Sequence, residues 1–217
     1  MELTNKIALV TGGSQRIGKA IALALAHAGA HVAITYHTSA NTSQATVAEI
    51  KALGRRSIAL TCNQREWTSI QSLFDSLRNE FDRIDILVNN AAIMERQPVL
   101  EVTSDDFDRT METNLRGPFF IAQAAAKWMK EAGNEGSIVN IADLAGIHPW
   151  PSYIAHTISK SGVVAMTQAL ALALAPSIRV NAIAPGAILK PAGWSDDRWN
   201  NLIAALPLKH AGTIEDV

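Results

Sequence analysis

Short continuous apolar runs alternate along the chain with longer stretches in which apolar residues recur every three or four positions. Ile7-Ala8-Leu9-Val10 is apolar at every position, as expected of a parallel strand buried on both faces. Ile17, Ala20, Ile21, Ala24, Leu25 and Ala28 then follow helical spacing, and Gly29 stands where a helix C-cap belongs. The same pattern predicts further strands over His31 to Tyr36, Ser57 to Thr61, Ile84 to Asn89, Ser137 to Ile141 and Ile178 to Ile183, with helices between them. Regular alternation of this kind implies right-handed crossovers and a doubly wound parallel sheet. The expectation is a Rossmann-type, three-layer α/β/α fold in a single domain over residues 1–217, without internal repeats or low-complexity tracts.

Composition narrows the setting. With 48% hydrophobic residues the 217-residue chain has ample material for one core. Charged residues make up 18%, below the roughly 25% of an average soluble protein, which points to surface hidden in a homo-oligomer. A net charge of −1 excludes nucleic acid as the main partner. Cys62 is the single cysteine, so no intrachain disulfide can form. The N-terminus lacks a signal-peptide pattern and no apolar run approaches membrane-spanning length. Together these features predict a soluble, cytoplasmic protein of a reducing compartment, with no membrane partner and no metal site.

Between the first strand and the first helix lies Thr11-Gly12-Gly13-Ser14-Gln15-Arg16-Ile17-Gly18. A glycine-rich strand-to-helix turn lets backbone N–H groups and the helix N-terminus converge on a phosphate with no Cβ in the way. The turn therefore predicts dinucleotide binding, through Gly12, Ser14, Arg16, Ile17 and Gly18. After the second strand the sequence reads Tyr36-His37-Thr38-Ser39, without the carboxylate that would accept ribose hydroxyls in an NAD site. The missing acid favours NADPH, with Tyr36, His37 and Ser39 near the extra phosphate and Arg16 as an added cation.

The glycine turn, Asn89-Asn90-Ala91-Ala92 after the fourth strand, Asn114, the Lys160 region and Pro185-Gly186 after the sixth strand occur in the order found in the short-chain dehydrogenase/reductase family, which this chain resembles over essentially its whole length. By that resemblance Asn63 stands where an aspartate contacts the adenine, Asn90 and Ala91 pass beside the adenine ribose, and Pro185, Gly186 and Ile188 lie against the nicotinamide. Arg16 takes the place of the usual middle glycine and Asp143 that of the usual catalytic serine. Both traits, with the segment Arg179 to Pro191, resemble the pteridine reductase and dihydromonapterin reductase branch. Family members continue past a segment like Leu208 to Val217 with a helix and a last strand, so the resemblance implies a truncated chain or a different assembly from the family's tetramer.

The catalytic segment departs from the family. Its Tyr-x-x-x-Lys pattern puts two side chains on one helix face, one turn apart. Four residues before Lys160 stands His156, while Tyr153 matches a non-catalytic tyrosine three residues earlier. The resemblance thus implies a catalytic set of Asn114, Asp143, His156 and Lys160, in which an Asp143–His156 pair acts as general acid. Arg16, Asp143, Tyr153 and Trp194 are the candidate substrate contacts, Trp199 is assigned to helix packing, and Met94 and Arg96 are further candidates at the substrate's border, with a solvated charge the favoured reading of Arg96. The leading expectation is an NADPH-dependent reductase of a dihydropterin or dihydrofolate. The alternatives are a carbonyl or 3-oxoacyl-thioester reductase of the same family, and an impaired NADP-binding sensor.

Overall fold

The computed structural model describes residues 2–191 and 193–217. Six strands, β1 (Ile7–Val10), β2 (His31–Tyr36), β3 (Ser57–Thr61), β4 (Ile86–Asn89), β5 (Gly136–Ile141) and β6 (Ile178–Ile183), form one parallel sheet in the order β3-β2-β1-β4-β5-β6. The apolar runs read from the sequence place four of these strands to the residue; β4 starts two residues later and β5 one residue earlier than the pattern alone predicts.

Alternation along β1 divides the core. Ile7 and Leu9 face one layer and Ala8 and Val10 the other, because successive strand side chains point to opposite faces. On the first side α3 (Trp67–Glu80) and α5 (Gly117–Glu131) bury Leu73, Phe74, Ile121, Trp128 and Met129. On the other side α1 (Arg16–His27) and α2 (Ala40–Ala52) bury Ala22, Ala26, Val47 and Ile50. At the carboxyl edge of strand β1, Thr11 is buried between the turn and β4. Cys62 is also buried, and burial pushes its thiol pKa up, as in an unreactive structural cysteine.

Helix α6 (Ile154–Leu174) packs beside β6, with Leu170 and Leu174 against the α3–α5 layer. By length and composition it is apolar enough to cross a membrane, with a mean hydropathy of 1.3 over an 18-residue window, contrary to the sequence reading. A third of that window is buried, while Ile158 and Leu172 are exposed. Between α4 (Ser104–Met111) and α5 the helix widens into a π turn over Glu112–Arg116, which holds Asn114. An extra residue in one turn re-aims the side chains that follow it, and here it turns Asn114 into the interior. Last comes α7 (Asp196–Ala205), which contains no fully buried residue.

Candidate active site

The strand order reverses direction between β1 and β4, where the chain leaves the sheet first to one side and then to the other. Ligands of such sheets sit in the crevice beyond the carboxyl ends at that point. There the structure opens a cavity of about 830 Å³, bordered by the glycine turn, the segment after β4, the start of α6, the segment after β6 and one face of α7. Among the predicted residues, Arg16, Ile17, Asn90, Asp143, Tyr153, His156, Lys160, Pro185, Gly186, Ile188 and Trp194 line it.

The turn is closed by backbone packing. A Cβ on Gly18 would lie 2.2 Å from the Gly12 carbonyl oxygen and 2.4 Å from Asn90 Nδ2, so only glycine fits there. Gly12 N–H donates to Thr35 Oγ1 at 3.2 Å and Gly13 N–H to the Thr35 carbonyl at 3.1 Å, which ties the turn to β2. Thr46 Oγ1 donates to the carbonyl of buried Ser14. Gln15 supplies no side-chain cap to α1 and the first helical turn contains no acid, an end suited to an anion. Arg16 sits at φ +52°, in the left-handed region that suits the family's glycine, and its guanidinium donates to the Lys190 carbonyl at 3.3 Å across the cavity.

Asn90 has work of its own in this clamp. Its Nδ2 donates to the Thr11 and Gly12 carbonyls at 2.9 and 3.2 Å, and the N–H groups of Asn90 and Ala91 both donate to Thr11 Oγ1. These bonds hold the turn in place while Asn90 also borders the cavity. Asn63 is likewise engaged locally: its Nδ2 donates to Glu66 Oε1 at 2.6 Å and its Oδ1 accepts from the Arg65 N–H, in the turn that precedes α3. Tyr36, His37, Ser39 and Asn63 lie at the ends of β2 and β3, outside the cavity.

Across the cleft, His156 is 3% exposed at the first turn of α6. Its Nδ1 lies 3.1 Å from the Ile93 carbonyl oxygen, which can only accept, so Nδ1 carries the hydrogen. Asn114 clamps that same backbone unit: its Nδ2 donates to the Ile93 carbonyl at 2.8 Å and its Oδ1 accepts from the Ile93 N–H at 2.9 Å. Asn114 Nδ2 also donates to Ser159 Oγ at 3.1 Å and stands 3.5 Å from His156 Nδ1. Imidazole Nε2 has no hydrogen-bond partner among the described residues. It lies 3.5 Å from Asp143 Oδ2, close enough for attraction but outside hydrogen-bond geometry. Asp143 Oδ1 accepts from the Ala145 N–H at 2.7 Å, which fixes the carboxylate.

Lys160 is buried one turn further along α6, where its ammonium donates to the Ile141 carbonyl at 2.7 Å. Burial pulls its pKa down to about 8 from the ordinary 10.5, and the nearby Asp143 charge opposes part of that fall. Trp194 stacks under Arg198, with the guanidinium 3.6 Å from the ring centroid. Trp199, assigned to packing in the sequence, instead borders the cavity, because α7 lies over the opening and buries none of its residues fully. The Ile93 carbonyl, a backbone group, and Arg198 are not marked by any pattern in the sequence. No group of three metal-ligating side chains occurs among the described residues.

The pattern of the short chain dehydrogenase family matches residues 6–201. The chain belongs to that family. The 3-oxoacyl-[acyl-carrier-protein] reductase of Staphylococcus epidermidis is 34% identical over 98% of this chain and 88% of its own length. The 2-dehydro-3-deoxy-D-gluconate 5-dehydrogenase of Escherichia coli is 40% identical over 85% of this chain and 72% of its own. Among solved structures, a short chain dehydrogenase from Burkholderia cenocepacia in complex with NADP superposes with a TM-score of 0.90, at 36% identity over 100% of this chain and 88% of that one. The protein is thus a short-chain oxidoreductase on a nicotinamide-binding fold. The narrower resemblance to pteridine reductases finds no support in these relatives, whose names record other substrates.

Proposed function

We propose that this protein interconverts a carbonyl and a secondary alcohol, with NADP(H) preferred over NAD(H) and His156 handling the proton. The observation that carries this reading is the one unpartnered nitrogen of a buried imidazole. With Nδ1–H held by the Ile93 carbonyl, Nε2 is left to gain and lose a proton; it lies 3.5 Å from Asp143 Oδ2, on a side chain that borders the cavity. A neutral Nε2 accepts the proton of an alcohol. An imidazolium, stabilised by the Asp143 carboxylate, donates one to a carbonyl oxygen.

The cleft fits a dinucleotide on three counts: the glycine turn that a Cβ would fill, the uncapped N-terminus of α1, and the space beyond it. Residues 12 to 18 would hold the pyrophosphate, and Lys160 with the Pro185 to Ile188 segment would border the nicotinamide end. When bound, the cofactor supplies or takes the hydride. Preference for the extra phosphate is supported by the absence of a carboxylate in residues 36 to 39. It is also supported by a first turn of α2 without acids and by a Ser39 hydroxyl that makes no cap bond. Lys160, lowered to about 8, is poised to pass protons between cleft and solvent at mildly alkaline pH.

Relatives named for a 3-oxoacyl thioester and for a keto sugar acid support a carbonyl substrate over a pterin. An apolar cleft of about 660 Å³ between α4, α5 and α6, bordered by Met111, Leu115 and exposed Phe119, supports association of copies in solution. The function is tested by following NADPH loss with acetoacetyl thioester, a keto sugar acid and dihydrobiopterin in turn. Consumption of a carbonyl compound is the expected result. Turnover of dihydrobiopterin alone would return the assignment to pteridine reduction, and cofactor binding without turnover in either direction would leave a binding protein.

A further inference from the structure

We infer that the substrate of this site carries a carboxylate close to its reacting carbonyl, and that Arg198 is the residue that holds it; the inference rests on the carbonyl–alcohol reading above. Charge around the cavity is lopsided. Arg16, Arg96, Lys160 and Arg198 border it, against the Asp143 carboxylate. A cleft lined mainly by one sign of charge concentrates ligands of the other. Two of these cations are engaged already, Lys160 with the Ile141 carbonyl and Arg16 with the Lys190 carbonyl.

Arg198 is held without being neutralised. Its guanidinium stacks on Trp194 and donates to the Tyr153 hydroxyl at 3.4 Å, and no carboxylate among the described residues lies within 4.0 Å of it. Nearby Asp196 is taken by Lys190. A guanidinium stacked on a ring keeps its edge N–H groups for a planar, two-oxygen acceptor. Tyr153 adds a second donor. Its ring is buried, its oxygen accepts from Arg198, and its own proton has no acceptor among the described residues.

Placement sets the size of the ligand. Tyr153 is the residue that leads into α6, and His156 lies three residues on, in its first turn. The anion seat and the proton-handling imidazole therefore share one wall of one cavity. A keto acid or hydroxy acid with few bonds between its two functional groups spans them; a long neutral acyl chain leaves Arg198 unanswered.

The test uses the NADP-loaded protein and three probes, 3-oxobutanoate, 4-oxopentanoate and 5-oxohexanoate, each paired with its methyl ester, with Kd read by calorimetry. At least one acid is expected to bind about tenfold or more tightly than its ester. Arg198→Gln should bring that ratio close to one, Arg198→Lys should restore part of it, and Tyr153→Phe should weaken it. NADP affinity should stay unchanged in all three. Ratios near one throughout the wild-type series, or a preference that survives Arg198→Gln, would overturn the inference. Turnover in the same samples separates the two readings. Acids and esters reduced equally well would keep the carbonyl chemistry and sink the anion seat, whereas Arg198-dependent acid binding without turnover in either direction would keep the seat and sink the chemistry.

Discussion

Around the glycine turn, backbone packs on backbone: Gly18 has no room for a methyl group beside the Gly12 carbonyl, and Thr11, Thr35 and Asn90 tie three strand ends together through short hydrogen bonds. Across the cleft, α7 buries none of its residues, and its contacts to the rest of the wall are side chain to side chain, Arg198 on Trp194 and Arg198 to Tyr153. The first wall is over-determined and tolerates little change. The second is held by groups that can be exchanged without unfolding the domain, and such a wall is where selectivity is adjusted. The start of α6 lies between these extremes, with buried polar side chains whose identities set the chemistry while their neighbours set the geometry.

Replacing His156 should break the contrast most severely. His156→Phe removes the imidazole proposed to exchange a proton with the substrate while filling similar volume, so turnover should fall by about 10²- to 10⁴-fold. NADPH affinity, measured by fluorescence titration, should change little, because the turn is built elsewhere. Full activity in this variant would transfer the proton to Tyr153 or to Asp143 acting through water.

Lys160 offers a test by pH. Burial holds its folded-state pKa near 8, below the 10.5 of the open chain, so folding carries the full cost of burying an ammonium at any pH below about 8. As pH rises from 8 to 10.5 the folded protein gives up that proton while the unfolded chain keeps it, and stability should increase. The gain over the whole interval is on the order of 3 kcal/mol. Lys160→Met should lack it, so the difference in unfolding free energy between the two proteins without cofactor should narrow in that window. Parallel stability curves from pH 7 to 10 would show that the lysine is not charged and desolvated as described.

On the rigid wall, Gly18→Ala should cost about 1–3 kcal/mol of stability, since backbone and the Asn90 amide must move to admit the methyl group. Cofactor affinity should fall with it. A melting temperature equal to that of the parent, with intact NADPH binding, would mean that the turn can relax far more than its packing implies.

How legible each part was in the sequence follows from the same division. Strands such as Ile7–Val10 were readable because burial on both faces forces an unbroken apolar run, and the turn because only glycine fits where backbones meet. The family's spacing, carried over by resemblance, grouped Asp143, His156 and Lys160. Hidden from it were the duties of side chains with several possible partners. Asn90 and Asn63 look suited to a ligand in sequence, and nothing there reveals the bonds both also make within the scaffold. The carbonyl of Ile93 decides the His156 tautomer, and no side-chain pattern announces a backbone oxygen. Trp199 follows a helical apolar stripe that in most helices would mean core, but here the stripe covers a cleft.

The smallest effect expected is at the far end of the cofactor groove, where the rigid wall gives way to exposed side chains. His37 is exposed just beyond β2, and the segment to Ser39 leads into an α2 N-terminus with no acid in its first turn. An anion placed there meets a favourable helix end and no opposing charge, whereas a carboxylate at position 37 would repel a ribose phosphate and accept from ribose hydroxyls instead. His37→Asp should therefore lower the ratio of NADPH to NADH affinity by about tenfold, close to 1.4 kcal/mol. Thermal stability should not move, because the side chain packs against nothing in the core. Fluorescence titration of both cofactors against both proteins reads the ratio directly. Equal affinities for the two cofactors in the unaltered protein would remove the basis for the preference, and an unchanged ratio in the variant would locate the phosphate contact at Arg16 instead.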